Sequence, residues 1–140
     1  MEYRSFGNTY VVRLDRGEEI LASLTELCKK EEILLGSVNG LGAADHAVVG
    51  LYDVEKQFYH KTEVNGAMEI ASLHGNISTM NGETYLHLHI ALADETTGIR
   101  GGHLNECRIS ATCEMFVEKL EGRIEREKSP EVGLNMYKFL

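Results

Sequence analysis

Residues Tyr85 to Leu92 alternate strictly between two kinds of side chain. Leu86, Leu88, Ile90 and Leu92 fall on one side, and Tyr85, His87, His89 and Ala91 on the other. A period of two marks a half-buried β-strand, with one face in the core and the other free for different work. The same reading runs through most of the chain. Tyr3 to Leu14 is β-branched and aromatic around a bend at Gly7-Asn8. Strands are expected at His46 to Val54 and Gln57 to Val64, with Asp53-Val54-Glu55-Lys56 turning between them. Further strands are expected at Glu69 to Ser78, Ile99 to Leu104 and Cys107 to Val117, with a short final one at Leu134 to Leu140. Arg123 to Glu127 reads as a charged, exposed edge segment.

One stretch changes period. Ile20, Leu21, Leu24, Leu27 and Cys28 recur at helical spacing and form a single apolar stripe. Asp15-Arg16-Gly17-Glu18 has the outline of a capping box with Asp15 at the cap, and Lys29 and Lys30 suit the negative end of the helix dipole. Ile33 to Ala44 is apolar, small and glycine-rich, as in a strand that bends or meets another backbone closely. It matches neither the P-loop nor the GxGxxG pattern. Asn65-Gly66 and Asn81-Gly82 are turn signals, the second flanked by two good strands. One principal helix with about seven or eight strands, mostly joined as hairpins, reads as an α+β fold with a mainly antiparallel sheet or open barrel.

At 140 residues the chain is expected to form a single domain over 1–140. The formal net charge of -8 argues against direct contact with the nucleic-acid backbone, since no run of Lys and Arg exceeds Lys29-Lys30. Cys28, Cys107 and Cys113 are odd in number and form no CxxC pair, which points to a reducing, cytoplasmic setting without disulfides. No signal peptide or membrane span is expected.

The hairpins set a register. With Asn81-Gly82 as a two-residue loop, His74 falls opposite His89, and Asn76 opposite His87. With Asp94 to Gly98 as a five-residue loop, His89 falls opposite His103. Opposed residues share a face with Cβ atoms about 5 Å apart. His74, His89 and His103 therefore form a row over three strands, and His87 lies one step along, roughly 7 Å away. A bulge at Gly101-Gly102 would break this arrangement by turning one strand over. Neutral imidazoles are the commonest zinc ligands, and three of them with an open fourth position describe a catalytic zinc site. Without a metal, the same histidines would line a polar groove or a subunit contact.

These residues carry a resemblance. Gly66 to Ile77, with Glu69-Ile70 and Ser72-Leu73, resembles a GxxEIxSLxG signature. Leu86-His87-Leu88-His89 and Gly101-Gly102-His103-Leu104 resemble the LHxH and GGH elements of its prokaryotic members. The family is the plant and prokaryote conserved (PPC) domain, here of the stand-alone prokaryotic type. The resemblance implies an antiparallel sheet flanked by a helix, a homotrimer, and a metal, zinc or another divalent transition metal, at His87, His89 and His103. His74 falls where many relatives carry another residue, and Glu69 matches the signature glutamate. Gly101 and Gly102 would permit close subunit approach. Plant members bind DNA through an AT-hook; this chain has none, and Arg123-Ile124-Glu125-Arg126 is not one.

Three functions follow in order. The first is a homotrimeric metal-binding module with an unidentified small-molecule ligand. The second is a zinc-dependent enzyme on a small substrate, with Glu69 or Glu106 as candidate base. The third is a DNA-associated regulator, for which direct DNA contact is not expected without an AT-hook. Three histidines do not distinguish zinc from nickel, copper or iron.

Overall fold

In a computed structural model that describes residues 1–139, the elements follow the alternation closely. The strands are β1 (Glu2–Phe6), β2 (Thr9–Asp15), β3 (Gly36–Asp53), β4 (Phe58–Met80), β5 (Glu83–Ala93), β6 (Ile99–Lys119), β7 (Glu125–Lys128) and β8 (Asn135–Lys138). The one helix among the described residues, α1, spans Ile20–Lys30. Leu140, expected to end the last strand, lies outside the described residues. All eight strands belong to one sheet, antiparallel except for a single bridge between Thr79 and Glu125.

Four long strands close on themselves. β3 pairs with β4 and β6, and β5 pairs with the same two, so each strand of the ring has two neighbours within it. The ring leaves no exposed edge along its paired stretches, the favoured resolution of the edge-strand problem. β1 and β2 extend it beyond β6, and β7 and β8 extend it beyond β4. Leu73, Ile77, Leu88, Leu92, Ile109 and Met115 fill the inside at full burial. Ile20, Leu24, Leu27 and Cys28 seat α1 against the same core.

Three local expectations are corrected. The helix begins at Ile20, with Glu19 rather than Asp15 as its cap: the Glu19 carboxylate accepts from the Ala22 amide at 2.7 Å. The Asp15 amide does donate to Glu18, but Gly17 sits at φ +90° and turns the chain out of helical geometry before the helix starts. Asn65-Gly66 is not a turn, because β4 runs straight through it. There, three steps on β4 (Asn65 to Met68) oppose two on β3 (His46 to Ala44), which is a β-bulge with Gly66 at φ +110°. Arg123 to Glu127 is not wholly exposed, since Arg126 is buried.

The two register-setting loops form as expected. Asn81 and Gly82 both take positive φ, as a type I′ turn requires, and Met80 pairs with Glu83. The β5–β6 ladder runs without a shift from Ala93↔Ile99 to His89↔His103, so Gly101-Gly102 introduces no slip. The irregularities in β6 lie instead on its ladder to β3: between Arg108 and Cys113, and at Asn105, where Val48 and Val49 pair with Glu106 and Leu104.

Candidate metal centre

His103 stands where β6 changes partner. It pairs with His89 on β5 and with Gly50 on β3. The non-core face of β5 meets the start of β6 at this point, and Asn105, the extra residue of the bulge, turns into the cleft beside them. Its amide donates to the Tyr59 hydroxyl at 2.6 Å, and the Tyr59 ring meets the His103 ring edge-on at 6.0 Å. Gly50 makes room for this tyrosine: a Cβ there would lie 2.1 Å from its hydroxyl oxygen.

His87, His89 and His103 converge. One ring nitrogen from each lies within 4.8 Å of the other two. Ring centroids are 5.2 Å apart for His87 and His89, 5.1 Å for His87 and His103, and 5.8 Å for His89 and His103. Nitrogens bound to one tetrahedral zinc at about 2.1 Å lie roughly 3.4 Å apart, so small ring rotations bring this set to a shared ion. Burial, the neighbouring His103, the Arg126 guanidinium and His89 push the pKa of His87 down to about 4. Burial and His89 also lower that of His103. Both imidazoles are therefore neutral near pH 7, the form that binds metal. The donor set fits a divalent transition metal with one or more positions left open.

The row expected from register is present, but it is not the cluster. His74 does face His89 across the β4–β5 ladder, with ring centroids 6.2 Å apart. It lies on the far side of β5 from His103, two strand spacings or roughly 9.6 Å across the sheet. His87, two residues along β5, closes the triangle instead. His46 is engaged elsewhere, with Asn65, Glu63 and Glu106, and His60 packs against Phe58 on the surface.

The triad opens into a cleft of about 970 Å³. Neither Glu69 nor Glu106 lines it, and no carboxylate does among the described residues. Its far wall comes from β7, β8 and the loop between them, which sequence reasoning missed. Arg126 is the main surprise. Its guanidinium lies over the Tyr85 ring at 4.6 Å and over the Tyr137 ring at 4.3 Å, and it donates to Ser78 and to the Asn135 carbonyl, both at 2.8 Å. The sequence hint was thin: in Glu125-Arg126-Glu127-Lys128 every side chain is charged, so alternation has nothing to contrast.

Fold and site together define a class: a small α+β domain whose closed ring of strands carries a histidine-lined cleft. The chain belongs to the Plants and Prokaryotes Conserved (PCC) domain family, which residues 1–121 match. Similar solved structures support this along nearly the whole length. A candidate DNA-binding protein of Bacteroides thetaiotaomicron is 36% identical with a TM-score of 0.96, covering 99% of this chain and 96% of that one. The plant- and prokaryote-conserved protein of Pyrococcus horikoshii is 35% identical with a TM-score of 0.89, covering 99% and 96%. A metal-containing protein of Archaeoglobus fulgidus is 32% identical with a TM-score of 0.90, covering 99% and 97%. A curated relative, the bifunctional protein GlmU of a Synechococcus strain, is 28% identical over 127 residues. That match spans 89% of this chain but only 19% of the relative.

Proposed function

We propose that this protein is a metal-binding module in which His87, His89 and His103 hold one divalent transition metal ion, zinc foremost, beside a cleft that admits a small molecule. The convergence of three ring nitrogens within 4.8 Å carries the reading. The metal-containing Archaeoglobus relative, 32% identical, supports it. A bound ion would supply a Lewis-acidic position at the floor of the cleft. The chain's own residues would hold the imidazoles neutral, orient His103 through Tyr59 and shape the opening. The three buried, unpaired thiols suit a cytoplasmic location. The proposal includes a homotrimer, and exposed Leu41, Phe58, Ile99 and Phe116 offer apolar surface for subunit contact.

Elemental analysis of untagged protein tests the metal. Wild type should carry about one zinc per chain, and the His87→Ala, His89→Ala double variant none, as loss of two of three ligands demands. Wild type that stays metal-free after zinc addition would remove the site and any zinc-dependent chemistry with it.

The Bacteroides relative favours a second reading, association with DNA. A net charge of -8 opposes direct contact with phosphates. An electrophoretic shift at low salt that vanishes steeply with added salt would establish the second reading, and no shift at low salt would end it.

A further inference from the structure

Arg126 is an unusual residue for its position. It is only 7% exposed. Among the described residues no carboxylate lies within salt-bridge distance of it; the ion pairs of this region join Arg123 to Glu125 and Lys138 to Glu127. Burying an unpaired guanidinium is costly unless its surroundings or a ligand compensate. The surroundings compensate in part, through two tyrosine ring faces and two accepting oxygens. Of the five N–H groups of a guanidinium, two are used in this way, and the other three have no protein acceptor among the described residues. Arg126 and the three histidines line the same cleft.

The charge of that cleft runs against the rest of the molecule. The protein carries 22 Asp and Glu against 14 Lys and Arg. Yet the described cleft lining holds one arginine, three histidines and no acid. A cavity with these walls favours anions over cations and neutral molecules. Leu51, Leu134 and Met136 add an apolar side. The rigid, planar fork left open on Arg126 matches the two oxygens of a carboxylate in plane.

We propose that the cleft binds a small organic carboxylate, with the carboxylate on Arg126, the apolar body along the Leu51, Leu134 and Met136 side, and any further oxygen directed at the histidine triad. The carboxylate half stands on Arg126 alone; only the last clause rests on the metal reading above. Arg126 and Tyr137 lie beyond residue 121, where the family match ends. The carboxylate-binding group thus comes from the C-terminal strands and the histidines from β5 and β6.

The test is calorimetric titration with formate, acetate, benzoate and mandelate, each against its neutral amide, on metal-free and on zinc-loaded protein. At least one acid should bind about tenfold more tightly than its amide, the scale of a charge-assisted pair. Arg126→Gln should remove that preference, and Arg126→Lys, which keeps the charge but loses the planar fork, should reduce it, while zinc content stays at the wild-type level. Equal binding of acids and amides overturns the proposal, as does an acid preference that survives Arg126→Gln. Inorganic phosphate serves as a further probe: if it binds through Arg126 and no carboxylate does, the carboxylate assignment falls. Should the Arg126 variants fail to fold, the acid-to-amide comparison on unaltered protein still decides. The two readings fail separately. Protein that takes no zinc but keeps an Arg126-dependent acid preference rejects only the metal, and protein that takes zinc without that preference rejects only the ligand.

Discussion

At the scale of single residues, His87 is the metal-site group that folding shifts most. Its pKa falls from an ordinary 6.5 to about 4, chiefly because burial disfavours the imidazolium. Below pH 6.5 the unfolded chain therefore binds a proton at this residue that the folded chain refuses. Stability contributed at His87 is intact above pH 6.5, is lost as the pH falls toward 4, and changes no further below that. Metal-free wild type should lose melting temperature over this window more steeply than His87→Gln. Parallel melting curves for the two proteins between pH 7 and pH 4 would show that burial does not act on His87 as described. The thiols shift the other way: burial raises Cys28, Cys107 and Cys113 to about 12 each, which leaves them inert small hydrophobes.

At the scale of elements, the site depends on how closely β4 and β5 approach. Gly75 lies between His74 and Asn76 and pairs with Leu88. A Cβ at Gly75 would stand 2.2 Å from the His87 carbonyl oxygen and 2.5 Å from a Leu88 methyl. The first of these is backbone and cannot swing aside. Gly75→Ala should cost about 1–3 kcal/mol, the range for overpacking a close contact. Because it pushes on His87, it should also weaken zinc binding. Denaturant melts and zinc titration of the purified variant measure both effects, and wild-type values in either would mean the strands part more easily than the ladder implies. The same two strands show how far local signals reach. Asn81-Gly82 set its register correctly because a type I′ turn admits one pairing. Asn65-Gly66, the same dipeptide, is a bulge inside a strand of 23 residues. A continuous ladder to β3 on both sides outweighs a local preference for turning.

At the scale of the whole molecule, a closed ring settles most of the backbone pairing, and what remains outside it is apolar side chain. Ile99 and Phe116 are each at least 60% exposed. The proposed homotrimer would cover such surface. Light scattering coupled to size exclusion should give three times the chain mass of 15.6 kDa, and a single-chain mass at micromolar concentration would reject it. No helix among the described residues is long and apolar enough to cross a membrane.

The sequence by itself determined which segments are extended and which is helical, though not where the long strands β3, β4 and β6 run unbroken, and it determined the pairing of β4, β5 and β6 around the histidines. Those features follow from side-chain period and two short loops, which are local quantities. It also placed His87 and His89 on one face, since residues two apart on a strand must share it. Register alone pointed to a row through His74, the family resemblance pointed to His87, and the tertiary structure gives the reason that His87 joins His89 and His103. Opposition across a ladder does not bring the outer members of a three-strand row within reach of one ion, whereas a step along the central strand does. Tertiary structure alone decided that Arg126 is buried. Its neighbours in sequence are all charged, and its partners, Ser78, Tyr85 and Tyr137, come from three other strands that only the completed fold brings around it.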